Sequence, residues 1–376
     1  KKTFFTKTWP SILLWARFRL TSFFNPIFEA RFRSLIYRFR FLTLYIVFGF
    51  LSLLLEFFVR NYFIGFGFDQ IITTLFSISC GILFAFWANM KFNFKIPRSR
   101  RNRALVYFFI ISSFSGLVQW TLKRLLAFEY LSYEWGRLFI SGAIFLLAYG
   151  LHRKYSFRDF KKVGVAIYAN GVEDLANIHK RIGYYADFIH VDIVDKSMSK
   201  NAKDVKTYRL ETMKAYWPHT QVQSHIMSME PSKWLDQVLP HSDVVYIHAE
   251  CDENVDALLE SIKKNNKKAG LALTMRTSPN KVSELLKKTD YVLLLTIPKP
   301  GSSGQKFDMD GLDRIKQINN LPYRNQFVLC VDGGVNENIV SILDAENIVS
   351  GSSVLKSSNP KRQILRLQTA GRYESE

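Results

Sequence analysis

Four long apolar stretches crowd into the first 151 residues, approximately Phe41 to Val59, Gln70 to Met90, Ala104 to Leu122 and Trp135 to Leu151. A hydrocarbon core of about 30 Å takes roughly 20 helical residues to cross, so each stretch reads as a transmembrane helix. Nothing comparable follows, and a chain of 376 residues has room for a second core. Charge divides at the same place. Up to Lys162 there are 24 Lys and Arg against 6 Asp and Glu, whereas the remainder holds 27 against 26. A nucleic-acid binder would not need apolar runs between its basic residues, but membrane flanks would. The basic loops lie on one side: Lys91, Lys95, Arg98, Arg100, Arg101 and Arg103 follow the second stretch, and Arg153, Lys154, Arg158, Lys161 and Lys162 follow the fourth. That side is expected to be cytoplasmic, together with the N-terminus and the C-terminal half, on a multi-pass protein of the inner (plasma) membrane. Residues 1–40, with Arg31, Arg33, Arg38 and Arg40 among Phe, Leu and Trp, read as a basic aromatic interfacial segment, the alternative being a disordered basic tail. Cys80, Cys251 and Cys330 show no paired spacing and no metal pattern, which points to a reducing compartment. The chain opens on Lys1 rather than Met, which leaves room upstream for further residues or a removed targeting segment.

Laying the first two stretches on the last two exposes a repeat with an offset of 63 residues. Glu56 falls on Gln119 and Arg60 on Lys123, while Lys91, Phe92 and Phe94 fall on Lys154, Tyr155 and Phe157. Two spans separate equivalent positions, so the copies point the same way across the membrane. Glu56 lies well inside a span, with Arg60 four residues on as its helical partner. An ionisable group in lipid is expensive, which makes Glu56, Arg60, Gln119 and Lys123 candidate functional residues; a snorkelling ion pair is the alternative. The span-ending motifs "FWANMKFNF" and "YGLHRKYSF" and the duplicated layout resemble the GtrA-like family of four-helix membrane proteins, over residues 41–157. The resemblance implies a role with polyprenyl-phosphate-linked sugars or surface polysaccharide. Four spans leave little room for a private transport path, so a homo-oligomer is expected.

After a linker at 158–162 the signal changes to short β-branched runs alternating with amphipathic stretches, the pattern of a parallel α/β fold. Eight strands are expected: Val163 to Ile167, Phe188 to Ile193, Val222 to His225, Val244 to His248, Ala269 to Thr274, Tyr291 to Thr296, Phe327 to Asp332 and Asn347 to Ser350. Eight such units in about 210 residues fit a (β/α)8 TIM barrel over residues 163–376, with a doubly wound open sheet as the alternative. The fold class is thus multidomain, a four-helix transmembrane domain followed by a TIM barrel. His190 and Asp192 close the second expected strand, His225 the third, His248 and Glu250 the fourth, and Asp332 with Gly333 and Gly334 the seventh. In such a barrel those ends share the active-site face, and alternate residues of one strand point the same way. Two imidazoles and two carboxylates converging there suit one divalent ion of zinc, iron or manganese. His248 is read as a supporting or structural residue.

"HVDIVD" from His190, "SHIM" ending at Met227, "IHAE" from Ile247, "PGSSGQKF" from Pro300, "VDGGVN" from Val331 and "SGSSV" from Ser350 resemble, in order, the signatures of ribulose-phosphate 3-epimerase. The resemblance implies that His190, Asp192, His225 and Asp332 bind the metal and that Asp192 and Asp332 are also the acid/base pair. It implies too that Met227, Ser303, Gly304, Gly333, Gly334, Gly351 and Ser352 hold substrate and phosphate. Glycines let the backbone approach an anion, and amides at loops and helix starts favour it. The departures ring the site. Ala166 replaces a substrate-contacting Ser, Lys196 a Gly, Ser303 a Gly, and Met198 to Asn201 and Thr274 with Met275 differ from the family pattern. The expected function is a membrane-tethered, metal-dependent epimerase of a ketopentose phosphate or related phosphorylated sugar, linked to surface-glycan or polyprenyl-linked sugar metabolism. The rivals are a non-catalytic sugar-phosphate sensor or scaffold regulating the membrane domain, and a transport protein gated by the barrel.

Overall fold

The computed structural model describes residues 25–38, 41–94, 96, 101–125, 133–157 and 160–369. The described residues divide into two compact units, those within 38–160 and those within 25–37 and 161–369.

The first of these is helical. After helix α1 (Pro26–Arg38), which groups with the other unit, come α2 (Leu42–Gly65), α3 (Gln70–Ala88), α4 (Arg101–Leu125) and α5 (Tyr133–Leu151). Asp69 starts α3 by accepting from the amides of Ile71 and Ile72 at 3.0 and 2.9 Å, which satisfies two donors that a helix start leaves open. Among the described residues three helices are long and apolar enough to cross a membrane: Leu42–Gly65, Gln70–Asn93 and Arg101–Leu122. The fourth expected span forms α5, of 19 residues, which carries Glu134 and Arg137 in its first two turns. Leu75, Phe114, Leu117 and Leu147 are exposed, an apolar exterior suited to lipid.

The repeat is visible in local geometry. α3 runs into a π-helical turn at Asn89–Asn93 and α5 into another at His152–Ser156, 63 residues later. Each turn is pinned by a polar pair four residues apart, Asn93 Nδ2 donating to Asn89 Oδ1 at 3.0 Å and His152 Nδ1 meeting Ser156 Oγ at 3.1 Å. The equivalent rings of Phe94 and Phe157 then stack on each other, 4.3 Å between centroids.

The second unit is the expected barrel. Its strands are β1 (Lys162–Tyr168), β2 (Phe188–Val194), β3 (Gln221–Met227), β4 (Val244–His248), β5 (Lys268–Thr274), β6 (Tyr291–Leu295), β7 (Val328–Asp332) and β8 (Asn347–Val349). All pair in parallel and in order, and β8 closes on β1 with Gly164 opposite Val349. The open-sheet alternative is thereby excluded. Helix α6 (Leu175–Ile182) follows β1 and α7 (Val255–Lys264), capped by Asn254, follows β4. Alternation sorts the strands: Val163, Val165 and Ile167 of β1 pack outward into the main core, while Ala166 joins an inner plug with Phe188, Tyr246, Leu293 and Cys330. The plug is shaped by large against small. A Cβ on Gly164 would lie 2.0 Å from the Phe188 ring, and one on Gly270 would lie 2.3 Å from that of Tyr246. Below the strand ends the barrel is therefore filled, and chemistry is confined to the top.

The interfacial segment is described from residue 25 onward, and residues 1–24, 39 and 40 lie outside the description. Helix α1 groups with the barrel, where Ala30 and Tyr37 are buried and Ser34 Oγ donates to Gln368 Oε1 at 3.0 Å.

Candidate active site at the strand ends

Strand pairing sets the levels of the site. Tyr168, Asp192 and His225 are successive register partners on β1, β2 and β3, and His190 lies two residues below Asp192 on the same inward face. Asp332 ends β7 opposite Leu295. His190 Nε2 lies 3.3 Å from Asp192 Oδ1 and 3.9 Å from Asp332 Oδ2, and His225 Nδ1 lies 3.4 Å from Asp192 Oδ1. One ligand atom from each of the four residues falls within 4.8 Å of the other three.

Three of these atoms, His190 Nε2, Asp192 Oδ1 and His225 Nδ1, are buried without a hydrogen-bond partner. Buried polar atoms left open are costly, and three of them around one point is the condition a metal ion relieves. Two imidazole nitrogens and two carboxylates fit a divalent transition ion. His225 is also steered from behind. Its Nε2 is 2.9 Å from His248 Nε2, and His248 Nδ1 is 3.2 Å from Glu250 Oε2. Glu250 in turn accepts from the Thr274 amide and hydroxyl at 3.0 and 2.8 Å, and from Thr277 Oγ1 at a short contact. Passing protons along this line leaves His225 Nδ1 bare toward Asp192, the form a metal needs. Thr274, a departure from the family pattern, thus serves the line behind His225.

The two aspartates are pushed apart in proton affinity. Burial works against the Asp192 carboxylate, but the His190 and His225 rings beside it hold it down at about 2. Burial and the negative charge of Asp192 lift Asp332 to about 7. Burial lowers His225 to about 4, whereas His190 is raised in spite of burial, by Asp192 and Asp332.

Asp192 and Asp332 open into a cleft of about 480 Å³ whose wall also includes Met227, Ser303, Gly304, Gly333, Gly334, Gly351 and Ser352. Every substrate-side candidate read from the sequence therefore lines the same cleft as Asp192 and Asp332. Gly334 has φ +68° and a Cβ there would lie 2.2 Å from the Phe307 amide nitrogen, so both conformation and space demand glycine. Of the departures, Ala166 lines the cleft, while Lys196 turns to an exposed pair with Asp204 at 2.7 Å. Sequence reading passed over Tyr168, Arg181 and Lys356 on the cleft wall. Strand alternation from Ala166 could have found Tyr168; nothing local marks the other two.

In the helical unit the candidates are rearranged. Besides Arg60, the helical neighbour expected for Glu56, a guanidinium from α5 grips it. Arg137 Nε and Nη2 donate to the two Glu56 oxygens at 3.0 and 3.1 Å, and Glu56 is 2 % exposed. Arg60 reaches Thr74 Oγ1 at 3.1 Å and Glu134 at 3.9 Å. The Gln119 side-chain oxygen accepts from Arg137 and from Ser141 Oγ, the latter at 3.0 Å, so both repeat-related polar positions enter one network. Lys123 lies on α4, and its side chain is outside the described residues.

Residues 162–355 match the ribulose-phosphate 3 epimerase family, and residues 44–157 match the GtrA/DPMS transmembrane domain. Similar proteins include ribulose-phosphate 3-epimerases of Bacillus subtilis, 28 % identical over 49 % of this chain and 86 % of the relative, and of Escherichia coli K12, 27 % identical over 55 % and 88 %. That of Helicobacter pylori J99 is 30 % identical over 49 % and 86 %. With the metal-ligand cluster and the closed barrel in place, the chain belongs to the ribulose-phosphate 3-epimerase family and carries a GtrA/DPMS transmembrane domain ahead of its barrel.

Proposed function

We propose that the barrel is a metal-dependent epimerase of a ketopentose phosphate, of the ribulose 5-phosphate and xylulose 5-phosphate type, or of a closely related phosphorylated sugar. The observation that carries this reading is the pair Asp192 and Asp332, two carboxyl groups facing one cleft within a cluster of open ligand atoms. Two carboxyl groups that reach one bound carbon can serve as its base and its acid. A divalent ion held by His190, Asp192, His225 and Asp332 would supply Lewis-acid polarisation of the substrate oxygens. The Asp192 carboxylate takes the proton from the carbon beside the ketone, and the electron pair of that C–H bond moves toward the carbonyl oxygen. The Asp332 carboxyl then returns a proton to the opposite face and the carbonyl re-forms, with no net oxidation or reduction. For the reverse epimer the roles exchange. The backbone around Ser303, Gly304, Gly334, Gly351 and Ser352 would hold the phosphate and so fix the carbon between the two carboxyl groups.

The helical unit supports a membrane location, and the basic loops favour a cytoplasmic barrel that feeds a surface-glycan or polyprenyl-linked sugar pathway. The test is proton exchange. Metal-loaded full-length protein in deuterated water should place solvent deuterium on the inverted carbon of D-ribulose 5-phosphate. If a folded, metal-loaded protein epimerises no ketopentose phosphate, the sensor reading replaces this one.

A further inference from the structure

Of the β1 residues along the cleft, Ala166 and, two residues on, Tyr168 share the inward face, while Ile167 between them packs into the outer core. Ala166 offers no polar atom, so the one side-chain hydroxyl that this strand can bring to a ligand is the phenol of Tyr168. That residue is the register partner of Asp192 and is partly exposed, although its strand neighbours are buried. Its hydroxyl makes no hydrogen bond with any described residue. A purely apolar wall would be served by Leu or Phe, and a phenol held there by a rigid strand is suited to an oxygen-bearing guest. Burial, together with the charges of Asp192, Asp332 and Glu173, raises its pKa, so the group stays a neutral O–H donor.

We propose that Tyr168 is a substrate-contacting, specificity-determining residue whose hydroxyl donates to an oxygen of the sugar chain of the bound phosphorylated sugar. The proposal rests on the ligand class given above and adds a residue to it. Because Tyr168 stands beside Asp192 on the next strand, its donor acts on the sugar end of the ligand. The phosphate is left to the glycine loops.

The experiment uses the full chain in lipid nanodiscs, loaded with Mn²⁺, and titrates D-ribulose 5-phosphate and, separately, inorganic phosphate into wild type and Tyr168→Phe by calorimetry. Removing one neutral hydrogen bond should weaken sugar-phosphate binding by about 5- to 10-fold. Binding of inorganic phosphate and metal content should stay at the wild-type level. Equal sugar-phosphate affinity in the two proteins overturns the assignment. So does a parallel loss for both ligands, which would place the hydroxyl's effect on the loops or the fold. If wild type itself binds inorganic phosphate but not D-ribulose 5-phosphate, the ligand class fails first and the role of Tyr168 falls with it.

Discussion

His225 Nε2 stands 2.9 Å from His248 Nε2, and both rings are fully buried. Only one of the two nitrogens can carry the proton, so the contact fixes the tautomer of both rings. With Glu250 drawing the His248 proton to Nδ1, His225 must donate from Nε2 and keep Nδ1 as a lone pair toward Asp192. The line selects the ligand form of His225 before any ion arrives. His248→Ala should therefore weaken metal binding by about 10- to 100-fold. Competition with a fluorescent chelator would measure this, and unchanged affinity in a folded variant would remove the line from metal binding.

The acid/base assignment predicts a symmetric failure. Asp192→Asn and Asp332→Asn should each lower epimerisation by at least about 100-fold, the usual range for such a group. Each also removes a ligand oxygen, so metal content must be read alongside turnover. The informative comparison is at saturating metal. There, a variant with a full complement of ion and near-wild-type turnover would disprove the two-aspartate scheme.

Metal binding should release protons, and more of them at low pH. Without metal, Asp332 is raised to about 7 and His190 is raised as well, so below neutrality both hold protons with which an ion must compete. Asp192, held at about 2, stays ionised throughout this range. Affinity should therefore fall as pH drops from 8 to 6. Calorimetry in two buffers of different ionisation enthalpy should show a larger proton release at pH 6 than at pH 8. The same shift acts on the fold. Because the folded pKa of Asp332 exceeds the unfolded value, its contribution to metal-free stability is present at acid pH and is lost as pH rises through about 7. A proton release that is the same at both pH values would refute the raised Asp332.

The barrel was legible because a period-two pattern fixes which face each strand residue takes. His190 with Asp192, read two apart, had to point together, and the closed sheet turned strand ends into one site. Eight expected strands became eight strands for the same reason. The helical unit hid its chemistry. A single helix shows only its own partners three and four residues away, which suggested Glu56 with Arg60. Which residue of another helix packs against Glu56 is a matter of bundle geometry, and Arg137, 81 positions on, carries no local mark of it. The π-helical turns were equally hidden: the repeat aligned Asn89 with His152 and Asn93 with Ser156, but pairing of unlike polar residues announces no widened turn.

The Glu56–Arg137 pair gives the last prediction. Its two bonds, at 3.0 and 3.1 Å, join α2 to α5 inside an apolar bundle, and Glu56 is 3 % exposed in its side chain against 16 % for Arg137. Two opposed costs are at work. Bringing both charges out of water is expensive, so the pair as a whole adds little stability over a neutral pair of similar shape. Removing one member leaves the other charge in place and costs up to about 3–5 kcal/mol, less the share carried by its other neighbours. Arg137→Gln should thus be markedly destabilising, since it takes the guanidinium from the carboxylate and also breaks the bond to Gln119. Glu56→Gln should be damaging in the same way, by taking the carboxylate from the guanidinium. The double variant, with two neutral amides that can bond to each other, should recover much of the loss. Thermal unfolding of the full chain in detergent would give the four corners of that cycle. The barrel offers an internal control, because its metal content should not change in any of the three variants. If the double variant is as unstable as the sum of the singles, Glu56 and Arg137 act independently and the pair does not hold α2 to α5.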